Sequence, residues 1–178
     1  MESVDKFRKD RHRIRTEMGG ADRVARLRVR GEKTVREHIG GVLDTDSFEE
    51  IGTFARSLRP VDRDTTPGDG KIGGHGTIDG RAVTVCGDDV TVKGGASATV
   101  GIRKAYRLYE RSTEMGIPFV YFAGSSGGRI PDTIGAEGIS EPGPLFSIAK
   151  RRHEIPLATA VLSHSFGGSS FLAALSEF

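Results

Sequence analysis

Between Ile117 and Ile130 an apolar run, IPFVYFA, breaks at once into GSSGGRI. Val120, Tyr121 and Phe122 are residue types that favour strands, so the run reads as a buried strand. A buried strand that ends in a tight glycine turn brings backbone N–H groups to the surface, where they can aim at a ligand oxygen. Glycine permits the φ values and the close approach that such a turn needs. A second apolar strand, Leu157 to Ser163, leads to another glycine pair, Gly167-Gly168. Two strand-to-glycine turns in consecutive βα units can flank one elongated ligand. A glycine pair can equally serve only to let a helix pack closely on a strand.

The rest of the chain supplies the layers around these turns. Residues 1–30 are rich in helix formers, interrupted at Gly19-Gly20, and Thr34 to Leu43 reads as a short helix. The stretch from Arg59 to Gly70 is a Pro/Asp/Gly loop. Ile72–Ile78 and Ala82–Cys86 flank Asp79-Gly80, a strong hairpin signal. Asp88 to Gly95 reads as a further short strand ending in a glycine pair. Ala98 to Met115 reads as a helix, as does Pro144 to Arg152, and Phe171 to Phe178 as the start of another. A hairpin followed by alternating helix and strand predicts an α/β layered fold.

Composition narrows the class. At 178 residues the chain is long enough for one domain with a real core. No apolar run approaches the roughly 20 residues of a transmembrane helix. A charged N-terminus without a secretory pattern and a single cysteine, Cys86, predict a reducing, cytoplasmic setting with no disulfide, no cysteine-rich zinc module and no metal. The net charge of +2 argues against nucleic acid, but it hides an asymmetry, since residues 1–36 hold 12 Lys/Arg against 6 Asp/Glu. Such a basic arm suits an anionic ligand tail or an acidic partner, or is a solvated helix face.

Three motifs compete for the chemistry. Gly68 to Gly73 satisfies G-x-G-x-x-G, but a dinucleotide fingerprint must follow a strand and open a helix, and here a hairpin follows. Gly124 to Gly128 satisfies G-x-S-x-G, which makes Ser126 a candidate nucleophile. Its base would be His153 or His164, and its acid Asp132, Glu137, Glu141 or Glu154. The third reading needs no nucleophile. The N–H groups of Gly127 and Gly128 form an oxyanion hole for a thioester enolate, each fixed donor worth roughly 3 kcal/mol in the transition state.

The ordered motifs carry a resemblance. Gly31–Arg36, Leu43–Gly52, Gly68–Gly70, Gly76–Arg81, Asp89–Thr91, Gly94-Gly95, Ser125–Ile130 and Gly167-Gly168 leading into Ala173–Leu175 occur in the order expected of one family. The chain resembles the carboxyltransferase (beta) subunits of biotin-dependent acyl-CoA carboxylases of the propionyl-, methylcrotonyl- and acetyl-CoA types. The resemblance implies an α/β crotonase-like fold, a layered ββα superhelix incomplete at its C-terminus, with an N-terminal helical arm. On that reading residues 1–60 are the arm and 61–178 a partial acyl-CoA carboxyltransferase domain, either truncated or completed by a partner.

It further implies carboxyl transfer from carboxybiotin on a partner carrier to the α-carbon of an acyl-CoA. Gly127 and Gly128 would be the catalytic donors, with Gly94, Gly95, Gly167 and Gly168 bordering the acyl-CoA channel. Arg129 would orient the turn or meet a CoA phosphate, unless it only pairs with a surface acid. The implied partners are acyl-CoA, a biotin carboxyl carrier or biotin carboxylase subunit, and a second carboxyltransferase half or further copies of the chain. A malonyl- or methylmalonyl-CoA-type decarboxylase and a non-catalytic acyl-CoA-binding half are the alternatives. The family's turn usually opens with an acidic residue, then Ser-Gly-Gly-Ala-Arg; here Gly124 replaces the acid, Ser126 the first glycine and Gly128 the alanine. The second motif carries Ser169-Ser-Phe171 where the family has a tyrosine and a proline.

Overall fold

The computed structural model describes residues 2–133 and 145–178, so Glu137, Glu141 and Pro144 lie outside the described residues. Three helices come first, α1 (Glu2–Glu17), α2 (Ala21–Val29) and α3 (Val35–Val42). A short strand β1 (Glu49–Glu50) leads through two 3₁₀ turns into the hairpin β2 (Lys71–Ile78) and β3 (Arg81–Asp88). Then follow α4 (Thr99–Met115), β4 (Phe119–Ala123), α5 (Ile130–Thr133), α6 (Leu145–Lys150), β5 (Leu157–Val161) and α7 (Gly168–Leu175).

The five strands form one sheet in the order β1-β2-β3-β4-β5, antiparallel through β3 and parallel from there on. Asp79 and Gly80 both take positive φ, 49° and 74°, as a two-residue hairpin of twisted strands requires. The Asp44 carboxylate accepts the N–H groups of both turn residues, at 3.0 and 2.9 Å, which ties the arm to the hairpin. Those bonds and the Thr77 hydroxyl hold the Asp44 carboxyl below its ordinary pKa, the Thr77 contact most of all.

Side chains alternate across the sheet and fill a core on each face. Phe119, Tyr121 and Ala123 of β4 meet Leu108 and Tyr109 of α4, Ile148 of α6 and Leu172 of α7. Phe122 of β4 and Val83 and Val85 of β3 point the other way, onto Val35 and Ile39 of α3 and Leu43. Helix α3 starts with a capping box, in which Thr34 Oγ1 accepts from Glu37 N–H and the Glu37 carboxylate accepts from Thr34 N–H. Helix α4 ends at Gly116 in the left-handed region, its N–H turned back onto the Ser112 and Thr113 carbonyls.

Two expectations change in the structure. The segment after Asp88 is a turn, not a strand: Asp89 Oδ1 accepts from Thr91 N–H at 2.9 Å and from its hydroxyl at 2.6 Å, which bends the backbone out of the sheet. Helix α7 begins at Gly168, three residues before Phe171, because the turn that positions it is itself the first part of the helix. No described helix is long and apolar enough to cross a membrane.

Candidate active site

Strand β4 delivers the first glycine turn. Gly124 N–H donates to Asp88 Oδ2 at 3.0 Å, so the turn starts against the end of β3. It then runs beside the segment before α4: Ser97 N–H donates to the Gly127 carbonyl at 2.8 Å, and Arg129 N–H donates to the Ser97 carbonyl at 2.7 Å. In such a parallel bridge the intervening residue, Gly128, turns its N–H away from the pairing partner. Gly127, at φ 101°, turns its own N–H back onto Ser125 Oγ at 3.1 Å. Of the two expected donors, Gly127 is therefore engaged within the turn, and Gly128 has no acceptor among the described residues.

Strand β5 delivers the second turn beside the first. Phe166 N–H donates to the Ser125 carbonyl at 2.9 Å. A Cβ placed on Gly167 would lie 3.7 Å from Gly127 Cα, which leaves the two backbones little more than a side chain apart. Gly167 sits at φ 62° as the residue before α7, and no side chain caps the helix. The first N–H groups of a helix have no partner within it, so the Gly168 N–H at the start of α7 is left without an intrahelical acceptor, and Gly168 and Gly128 line the same cavity.

Both turns line one cavity of about 200 Å³, through Gly127, Gly128, Gly168 and Ser169. Ile102, Tyr106, Tyr109, Phe119 and Leu172 give it apolar walls. An apolar cavity of about 150 Å³ holds benzene, so this one takes a modest hydrocarbon group.

Lys71, Ser97 and Tyr121 line the same cavity and belong, with Asp88, to a buried polar cluster. Lys71 faces Asp88 across the hairpin and forms an ion pair with it. Lys71 Nζ also donates to Ser97 Oγ at 2.9 Å and to Tyr121 Oη at 3.2 Å, which uses all three of its N–H groups. Tyr121 in turn donates to Asp88 Oδ1 at 2.8 Å. Burial, and then the neighbouring Asp88 charge, raise the Tyr121 pKa well above its ordinary value, so the phenol stays protonated. Neither group is free to act as a base.

The remaining expected residues divide. Gly95, at φ 72°, packs so closely on the first turn that a Cβ there would fall 2.1 Å from the Gly124 carbonyl oxygen. Gly94 accepts from Ser126 N–H at 3.1 Å and also lines a pocket with Arg23, Arg26, Arg30 and His164. Arg129 is buried: Nη1 donates to Asp69 Oδ1 at 2.7 Å and Nη2 to the Ala96 carbonyl at 3.3 Å. Asp69 Oδ2 accepts the Gly101 N–H of α4 at 2.7 Å, so this arginine joins the turn to that helix. The acid it meets is an interior one, not a surface one.

Ser126 is exposed, and among the described residues no histidine hydrogen-bonds it. His153 Nδ1 pairs with Glu177 at 2.9 Å, and His164 lies against Phe166. Asp132 accepts from Ser57 Oγ at 2.6 Å, and Glu154 pairs with Arg151. The triad candidates among the described residues are thus dispersed. Gly68–Gly70 form a 3₁₀ turn that runs into β2, not into a helix, which removes the dinucleotide motif. His75 bonds Thr84 within the hairpin, and burial pushes the Cys86 thiol up to about 11; both are structural. Among the described residues no group of metal-ligating side chains occurs.

The mixed five-stranded sheet and its helices match the crotonase-like fold of solved carboxyltransferases. The chain belongs to the carboxyl transferase domain family, whose model matches residues 26–178. It is 33% identical over 164 residues, 90% of its length, to the methylmalonyl-CoA carboxyltransferase 12S subunit of Propionibacterium freudenreichii subsp. shermanii, of which it covers 31%. It is 30% identical over 165 residues, again 90% of its length, to the methylmalonyl-CoA decarboxylase subunit alpha of Veillonella parvula, of which it covers 32%. The crystal structure of the transcarboxylase 12S hexamer assembly with hydrolysed methylmalonyl-coenzyme A superposes with a TM-score of 0.88 at 31% identity, over 98% of this chain and 35% of that one. The chain thus spans about a third of the length of the curated relatives it matches.

Proposed function

We propose that this chain forms the acyl-CoA side of a biotin-dependent acyl-CoA carboxyltransferase. The observation that carries the reading is the convergence of the two glycine turns on the mouth of one apolar cavity. A thioester carbonyl at that mouth meets the backbone N–H groups of Gly128 and Gly168, and its acyl group enters the cavity. When the α-proton leaves, negative charge moves onto the carbonyl oxygen as the enolate forms. Two fixed donors in a water-poor site stabilise that oxygen more than the ground-state carbonyl, which is what accelerates the step. Gly127 shapes the hole, Gly95 and Arg129 hold it in place, and Gly167 lets the second backbone approach.

The CoA tail leads past Gly94 towards Arg23 and Arg26 on α2 and Arg30 just after it, where the anionic phosphates meet cationic side chains. Carboxybiotin, delivered by a partner carrier, would supply the carboxyl group and, as the family resemblance implies, the base. Both glycine turns serve the same mouth, so the described residues offer one set of donors, and we assign the biotin ring to other residues of the assembly. In this reading Lys71 and Tyr121 are scaffold, consistent with their saturated hydrogen bonds.

Calorimetric titration of the assembled enzyme with acyl-CoA tests the reading. Saturable binding that weakens in an Arg26→Glu variant is the expected result. No saturable binding, by the chain alone or in its assembly, overturns it. The relatedness to a decarboxylase subunit favours one alternative, loss of CO₂ from a malonyl- or methylmalonyl-type thioester through the same enolate. Turnover of such a substrate without any biotin would select it.

A further inference from the structure

We propose that Asp88 is a positioning residue that locks the two glycine turns together. Asp88 ends β3, the strand beside β4. Asp88 Oδ2 accepts the Gly124 N–H at 3.0 Å and the Ser169 hydroxyl at 2.8 Å, so one oxygen bridges the opening of the first turn and the first helical turn of α7. Its other oxygen accepts from Lys71 and from Tyr121, and Lys71 reaches on to Ser97, whose backbone pairs with Gly127 and Arg129.

A purely structural ion pair would satisfy Asp88 through Lys71 alone. Here the carboxylate spends half of its acceptors on the two elements that carry the proposed donors. Ser169 is the partner that makes the bridge to the second turn possible. Lys71 cancels the carboxylate's charge, so the pair adds no net charge beside the cavity. Glycine turns have no side chains with which to hold each other, and a displacement of about 1 Å at a reacting centre can cost on the order of a hundredfold in rate. A buried carboxylate shared between the turns fixes their separation.

The inference rests on the proposed oxyanion role only for its kinetic consequence; the lock itself is tested without ligand. Ser169→Ala removes the bridge to the second turn and leaves the Asp88–Lys71 pair intact. Hydrogen exchange of the variant should quicken at Gly124–Gly128, in the other turn, while the hairpin at 71–78 stays protected. Exchange that quickens only in α7 overturns the lock, whether or not acyl-CoA binds. In the assembled enzyme kcat should fall roughly tenfold to a hundredfold, with KM for acyl-CoA within about twofold. A second variant pairs Asp88→Asn with Lys71→Met, which removes both buried charges together. It should show the same kcat loss and the same faster exchange in the first turn; wild-type values in either variant reject the positioning role. Failure of the wild-type enzyme to bind acyl-CoA would instead count against the proposed function.

Discussion

The turn at 124–129 is held by charge and by backbone pairing, whereas the turn at 167–169 is held by hydroxyls. In the first, Asp88 takes the Gly124 N–H, Ser97 pairs with Gly127 and Arg129 through the main chain, and the Arg129 guanidinium reaches Asp69 beneath. In the second, Ser169 reaches Asp88 and Ser165, and Ser170 Oγ donates to the Gly167 carbonyl at 2.8 Å. The first turn uses its Gly127 N–H internally, and the second starts a helix that no side chain caps. The difference separates two tasks that look alike in sequence. One turn is mainly a built wall; the other is mainly an open donor set leaning on it.

The largest expected effect lies in the wall. Arg129→Met leaves the Asp69 carboxylate buried without its cation, and breaking a buried pair in this way costs about 3–5 kcal/mol. Ser169→Ala removes one hydrogen bond to a carboxylate and should cost about 1.5–3 kcal/mol at most. Urea unfolding of both variants measures the gap. Equal losses would break the comparison, because the second turn would then be as firmly built as the first.

Next comes the donor set. Proline is well suited to the first position of a helix, so Gly168→Pro removes an N–H while keeping α7. In the assembled enzyme kcat should drop about 10²–10³-fold, as for loss of a single oxyanion donor, with little change in KM. Gly167→Ala serves as the contrast, since it strains the backbone at φ 62° but keeps the Gly168 N–H. If Gly168→Pro turned over at the wild-type rate, the second turn would be packing alone, the bland reading that a glycine pair always allows.

Much of this was legible in the chain. The Asp79-Gly80 turn, the apolar runs at 117–123 and 157–162 and the glycine pairs after them announce the sheet and both turns, because their signals are local. The Lys71–Asp88 pair is legible too. A two-residue turn at 79–80 places Ile78 opposite Arg81, and counting outward along the hairpin brings Lys71 opposite Asp88. Two opposite charges facing each other inside apolar strands mark a buried pair. Arg129 meeting Asp69 could not be found in that way, since 60 residues separate them and no register links a loop to a turn. The expected strand at 88–95 failed for a local reason, the Asp89 side chain competing for the backbone at Thr91.

That same aspartate gives a pH test of the turn after β3. Burial, the largest influence, raises the Asp89 pKa above its ordinary value despite the bonds from Thr91. A carboxyl with a raised folded-state pKa favours folding below its unfolded value, and that contribution is lost as pH rises through the folded value. Asp89→Asn removes the ionisation and keeps an acceptor for Thr91. The variant should therefore be at least as stable as the wild type at pH 7, with the difference shrinking as pH falls below the range where Asp89 ionises. A variant less stable at pH 7 by the same margin at every pH would show that this turn needs the carboxylate.

The smallest expected effect is at the residue that most resembles a nucleophile. Ser126 occupies the centre of G-x-S-x-G, yet its hydroxyl is exposed, and among the described residues it touches neither His153 nor His164. Its N–H, not its side chain, ties the turn to Gly94, and alanine keeps that bond. Ser126→Ala should alter stability by less than about 0.5 kcal/mol, as surface substitutions usually do. Carboxyl transfer in the assembled enzyme should stay within about twofold of the wild type, and any esterase activity of the preparation should survive unchanged. Loss of esterase activity would return the first turn to the nucleophile class. Retention assigns the chemistry to backbone N–H groups and leaves Ser126 as a spacer between the carboxylate-held end of the turn and its open one.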